Sequence, residues 1–173
     1  MPMQQEDRLN AESGLYPQKM LEVLLSHEVA RSKRYPNPIS LIYLALRFAE
    51  TPSEDVMDSA RLLVANTLHS KLREVDMPGH FEGNYMVILP STEEKGARTA
   101  AQRLLQQLRG KQVTRSAREY ELAICVGVAS HLGGPQISTA ELLSQCASAL
   151  WEAQRRGAHS LVLFSELQTS PAT

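Results

Sequence analysis

The chain has 173 residues, 43% of them hydrophobic, 21% charged and 5% aromatic, with 18 basic against 19 acidic side chains and a formal charge of −1. That length suits one globular domain able to bury its own core, and the near-neutral balance excludes a general field for nucleic acid or anionic lipid. The longest apolar run, 39–46, is strand-sized, well short of the ~18–20 residues of a membrane-spanning helix. The first fifteen residues are polar and lack the apolar stretch of a secretory signal. Cys125 and Cys146 sit in apolar segments and read as reduced, buried small residues, not as a disulfide or metal pair. Composition therefore leads us to expect a cytoplasmic protein with no membrane insertion and no nucleic-acid partner.

Residues 1–12 and 167–173 are expected to be flexible, leaving one domain over 13–166. A first helix is predicted from about Pro17 to Tyr35, with Met20, Leu21, Leu24, Leu25 and Val29 at helical spacing, ended by Pro36 and Pro38. Residues 39–46 are apolar on both faces and predict a central buried strand. Ser53-Glu54-Asp55 opens a second helix, whose buried stripe is Ala60, Val64, Leu68 and Leu72. A hairpin follows over 77–89, turning at Glu82-Gly83-Asn84. Ser91 and Glu94 predict a capping box for a third helix to about Leu108. Residues 121–129 predict a strand, and Ser138 with Glu141 caps a fourth helix to about Arg155. Gly157 then leads into a last strand over 160–164. Trp151 on that fourth helix is expected to pack in the core. The order α-β-α-β-β-α-β-α-β predicts an α+β fold, a ferredoxin-like central antiparallel sheet flanked by helices.

Five segments, in register with these elements, resemble the GGDEF, or diguanylate cyclase, family from about Asn10 to Phe164. Ser13-Gly14-Leu15-Tyr16 resembles the family's L-T-G-L-x opening, and Leu72-Arg73-Glu74-Val75-Asp76 its L-R-x-x-D. Val87-Ile88-Leu89-Pro90 with Thr92 resembles L-L-P-x-T, Cys125-Val126-Gly127-Val128-Ala129 resembles S-I-G-V-A, and Ala149-Leu150-Trp151-Glu152-Ala153 resembles A-L-Y-x-A. The resemblance implies a fold, and an ancestry in enzymes that condense two GTP into cyclic di-GMP with two divalent ions.

The same comparison implies that catalysis is lost. Metal-assisted attack on an α-phosphorus needs hard anionic oxygen ligands. Where the family has D-I-D at the end of the first strand, this chain has Ala45-Leu46-Arg47. The signature turn reads Phe81-Glu82-Gly83-Asn84-Tyr85, so Asn84 takes the place of an acidic ligand; under a one-residue shift, Asn84 and Tyr85 replace both acids. Gln154 stands for the phosphate-binding lysine, and Gly157-Ala158-His159-Ser160 for G-R-N-R. The loop carrying the guanine-contacting asparagine is shortened, and Asp58 is the one candidate remnant of the guanine contacts. No catalytic residue, metal site or cofactor is expected.

What the resemblance leaves intact is the family's inhibitory site. Arg73 and Asp76 form its R-x-x-D, separated from Glu82 by the five residues 77–81, and Arg103 lies thirteen residues past Pro90, where the site's further arginine falls. An arginine fork can take guanine O6 and N7, a carboxylate can accept from N1 and N2, and guanidinium planes can stack on purines. The implied ligand is cyclic di-GMP, bound by an effector. The same residues also fit an inherited surface ion pair, worth ~0–1 kcal/mol, in a nucleotide-independent module that docks a protein partner or homodimerises. The five histidines, with no i, i+4 pair or cysteine partner, read as ordinary surface and core residues.

Overall fold

The structure, a computed structural model, describes residues 13–169. In chain order its elements are α1 (Gln18–Arg34), β1 (Ile39–Arg47), α2 (Glu54–Lys71), β2 (Met77–Phe81), β3 (Asn84–Pro90), α3 (Glu94–Leu108), β4 (Gln112–Arg115), β5 (Arg118–Glu121), β6 (Ala123–His131), α4 (Thr139–Arg156), β7 (Leu161–Leu163) and α5 (Phe164–Thr169). The main sheet runs β2-β3-β1-β6-β7. β1 is central and antiparallel to both β3 and β6, which is the ferredoxin-like core predicted. Its mainly apolar sequence follows from helices on both faces. Ile42 and Leu44 join the core under α2 and α3 with Val64, Leu68 and Leu104. Leu41, Tyr43 and Ala45 join the opposite core under α1 and α4 with Leu25, Cys146 and Leu150.

The β2 edge is closed by the segment before α1. Tyr16 N donates to Pro78 O at 3.1 Å and His80 N to Tyr16 O at 2.9 Å, so neither chain presents an open ladder there. The β2–β3 hairpin turns on Glu82 and Gly83, at φ 48° and 76°, between the closing pair Phe81 and Asn84. Positive φ at both central positions matches the right-handed twist of the strands.

Several expectations need correction. β7 pairs parallel to β6, so the sheet is mixed, because α4 is a crossover connection and returns the chain in the same direction. A separate two-stranded hairpin, β4–β5, stands between α3 and β6, and the strand predicted from 121 begins only at Ala123. Ser91 does not cap α3. It sits at φ 51° and accepts from Asn37 Nδ2, and the N-cap is Glu93. Trp151 is not in the core: it is 66% exposed, because α4 turns Leu142, Cys146, Ala149, Leu150 and Ala153 inward. The segment expected to be loose from residue 167 is helical through Thr169, with Leu167 packed on the α4-side core. The remaining termini, 1–12 and 170–173, lie outside the described residues.

Both cysteines are buried and free, as read from sequence. Burial pushes the Cys146 thiol up to about 12, so it is a protonated packing group. Among the described residues no helix is long and apolar enough to cross a membrane.

Candidate functional site

α2 ends at Lys71, and its C-cap, Leu72, turns extended, which throws Arg73–Asp76 into the connection to β2. Asp76 folds back on Arg73. Its Oδ1 accepts from Arg73 Nη2 at 2.8 Å and Nε at 3.2 Å, and its Oδ2 accepts from the Arg73 backbone N–H at 2.8 Å. The Asp76 side chain is only 3% exposed, whereas that of Arg73 is 53% exposed. The hydrogen bond to Asp76 is the main cause of the raised Arg73 pKa. Arg73 Nη2 also reaches the end of β3, donating to Thr92 Oγ1 at 2.7 Å and to Pro90 O at 3.2 Å. Thr92 Oγ1, itself buried, donates to Pro90 O at 2.8 Å. Arg73 thus clasps two junctions, α2–β2 and β3–α3, across the chain.

These junctions and the face of α3 enclose a cleft of about 520 Å³. All three residues singled out from the sequence, Arg73, Asp76 and Arg103, line it. Arg103 Nη1 reaches Lys71 O only at 3.5 Å, a marginal bond, and makes no ion pair among the described residues. Lys71, Glu93 and Lys95 complete the charged wall, and the sequence reading missed them. Glu93, Gly96, Ala100 and Arg103 fall on one helical face, so counting back from Arg103 in threes and fours would have found Glu93. Arg98, on another face, pairs with Glu166 at 3.6 Å.

The corner where the resemblance places two divalent ions has a different donor set. β1 pairs Leu44 with Tyr85, so Ala45 and Asn84 occupy adjoining positions at the same sheet end. Ala45 is a buried methyl. Asn84 makes a side-chain hydrogen bond with Tyr43, whose hydroxyl pKa is nonetheless raised, chiefly by burial. In the amide orientation that satisfies both groups, Gln154 accepts from Arg47 Nε at 3.2 Å and Nη2 at 3.0 Å. A methyl, an engaged amide and a guanidinium do not fit a hard divalent cation. No cluster of His, Cys, Asp or Glu among the described residues could hold a metal. Asp58 accepts from Arg61 Nη1 at 3.0 Å, an ordinary i, i+3 ion pair. Arg155 and Arg156 close on Glu152, holding its carboxyl down at about 2.

An α+β domain with a ferredoxin-like sheet, a two-residue signature hairpin and a basic cleft at the far end of the hairpin's second strand defines the class. The family model of the diguanylate cyclase GGDEF domain matches residues 11–160, and the chain belongs to that family. Among solved structures it is similar to the diguanylate cyclase SiaD of Pseudomonas aeruginosa, solved with its activator SiaC. The TM-score is 0.80 at 25% identity, over 88% of this chain and 60% of that one. The chain thus spans less than two thirds of SiaD. The GGDEF domain of DgcB from Caulobacter crescentus, solved with c-di-GMP, gives a TM-score of 0.80 at 16% identity over 87% of this chain and 92% of that one. That of FimX from Pseudomonas aeruginosa gives 0.78 at 18%, over 88% and 96%. No curated protein matches the chain.

Proposed function

We propose that this chain is a catalytically inactive GGDEF domain of bacterial signalling that binds cyclic di-GMP as an effector, in the cleft of Arg73, Asp76 and Arg103. One observation carries the reading. Three residues, carried over from the family's motifs, line a single cleft although Arg73 and Asp76 lie in the α2–β2 connection and Arg103 on α3. Lys71, Lys95, Arg73 and Arg103 supply the cations two phosphodiesters need. Asp76 enters differently from the sequence expectation: buried under Arg73, it holds the guanidinium instead of reading guanine itself.

Calorimetric titration with cyclic di-GMP tests the reading. Wild type is expected to bind below ~100 μM and to melt higher with ligand present. Arg103→Ala, which removes a half-free fork without disturbing the clasp, is expected to weaken binding roughly tenfold with an unchanged melting temperature. Absence of heat and of thermal shift at ~100 μM sinks the reading.

Inactivity is tested separately. With Ala45, Arg47 and Asn84 in the metal corner, the purified protein is expected to form no cyclic di-GMP from GTP with magnesium or manganese. Restoring acids at Ala45 and Asn84 together is expected to leave it silent, because Arg47 and Gln154 still occupy each other where phosphate would be held. Product above a mock-purified control overturns the first statement, and robust turnover by the double variant overturns the second.

One feature favours the second reading, a nucleotide-independent protein partner or homodimer. Trp151 projects from α4 at 66% exposure beside a hollow lined by Ala147 and Leu167, and exposed tryptophans are frequent interface anchors. A silent titration hands the function to that surface.

A further inference from the structure

We infer that Glu93, and not Asp76, is the carboxylate that selects guanine in this cleft. The inference rests on the cleft being a cyclic di-GMP site and names the residue that decides which base it takes. Guanine differs from adenine at its Watson–Crick edge, where N1–H and N2–H2 both donate; a carboxylate meets that edge with two acceptors.

Two carboxylates line the cleft, Asp76 and Glu93. An ionised carboxylate offers about four lone-pair positions. Asp76 accepts from Arg73 Nη2 and Nε on Oδ1, and from Arg73 N and Nε on Oδ2, at 2.8–3.3 Å. Three N–H groups of Arg73, one of them shared between both oxygens, already occupy this carboxylate, and its side chain is only 3% exposed. Glu93 is the reverse case. It is exposed and stands at the N-cap of α3, yet its side chain makes no cap hydrogen bond and no ion pair among the described residues. Among the described residues neither of its oxygens is engaged.

The floor between Glu93 and Arg103 suits a stacked base. Gly96 and Ala100 lie on the same helical face and line the cleft with almost no side chain. A Cβ at Gly96 would press on Thr92 Cγ2 at 3.1 Å, so the glycine keeps clear of the threonine that Arg73 holds and leaves the cleft floor bare as well. Bare backbone there lets a flat ring approach. Ten positions of helix separate Glu93 from Arg103, about 15 Å of axial rise. That span exceeds one base and accommodates a dinucleotide, with a carboxylate at one end and, at the other, a guanidinium fork held only by its marginal bond to Lys71 O.

The test titrates wild type and Glu93→Gln with cyclic di-GMP and with cyclic di-AMP, and records the melting temperature of each unliganded protein. Glutamine keeps the size but turns one acceptor into a donor that clashes with N1–H or N2–H2. The expected result is roughly tenfold or greater loss of cyclic di-GMP affinity, a narrowed gap between the two ligands, and an unchanged melting temperature. Wild type binding cyclic di-GMP, with Glu93→Gln binding it equally and with equal selectivity, overturns the role of Glu93 and leaves the cleft reading standing. Wild type binding neither ligand overturns the cleft reading and this inference with it. A parallel Asp76→Asn variant guards the assignment: lost selectivity there, at wild-type stability, returns base reading to Asp76.

Discussion

Gly127→Ala is expected to lower the melting temperature by several degrees although it adds a single methyl group. Gly127 lies in the middle of β6, paired with Tyr43 on one side and Val162 on the other. A Cβ built there falls 2.3 Å from Leu150 N, 2.8 Å from Leu150 Cα and 2.8 Å from Cys146 O. All three atoms are backbone of α4, so no side chain can rotate away. The whole helix must lift, and it carries Cys146, Ala149, Leu150 and Ala153 out of a close-packed core. Overpacking of this kind costs about 1–3 kcal/mol and more where the obstacle is rigid. A loss near ~3 kcal/mol corresponds to roughly 6–12 °C for a domain this long. Thermal unfolding followed by circular dichroism measures it, and an alanine variant melting within about 2 °C of wild type would show that α4 is free to shift.

The same contact explains what was legible in the sequence. A small residue flanked by Val126 and Val128 marks a strand against which a helix backbone lies close, and the S-I-G-V-A resemblance rests on it. β1 was legible for a related reason: helices on both faces bury every position from Ile39 to Ala45, so an almost wholly apolar run, broken only by the hydrogen-bonded Ser40, and a central strand coincide. The β4–β5 hairpin was not. Its turn places Ser116 and Ala117 at φ 50° and 61° with no Gly, Asn or Pro to signal it. Its strands are mostly exposed, so no alternation appears. Trp151 misled because residue type was weighed above phase. It follows Leu150 by one step of about 100°, which carries it past the buried face of α4.

The cleft shows the same division. The family resemblance pointed to Arg73, Asp76 and Arg103, because motif positions are fixed by the junctions that hold them. Spacing did not show which partner Asp76 serves, since that depends on how the α2–β2 connection folds back. Glu93 was hidden by the capping box assigned to Ser91. With a cap at Ser91, Glu93 becomes one more acid in a helix's first turn. The observed start at Glu94 instead places Glu93 at the lip of the cleft.

Asp76→Ala is expected to damage stability and ligand affinity together, and the coupling of the two is the point of the experiment. The carboxylate accepts from the Arg73 backbone N–H and from both Nε and Nη2. Its removal leaves a part-buried N–H without an acceptor, a cost of about 1–3 kcal/mol, or roughly 2–12 °C in melting temperature. Arg73 then keeps only Thr92 Oγ1 and Pro90 O, both on Nη2, so its fork pivots on a single nitrogen and loses its fixed orientation. Affinity for cyclic di-GMP should fall roughly ten- to hundredfold, because the guanidinium must be ordered again at each binding event. Arg73→Ala should weaken binding similarly. It should also destabilise, since it strips the buried carboxylate of its cation and leaves it the backbone N–H alone. The decisive comparison is between the two measurements on Asp76→Ala. Weakened binding with a lowered melting temperature fits an anchor acting through Arg73. Weakened binding at wild-type stability would mean that Asp76 touches the ligand directly, and the clasp would have to open for it to do so.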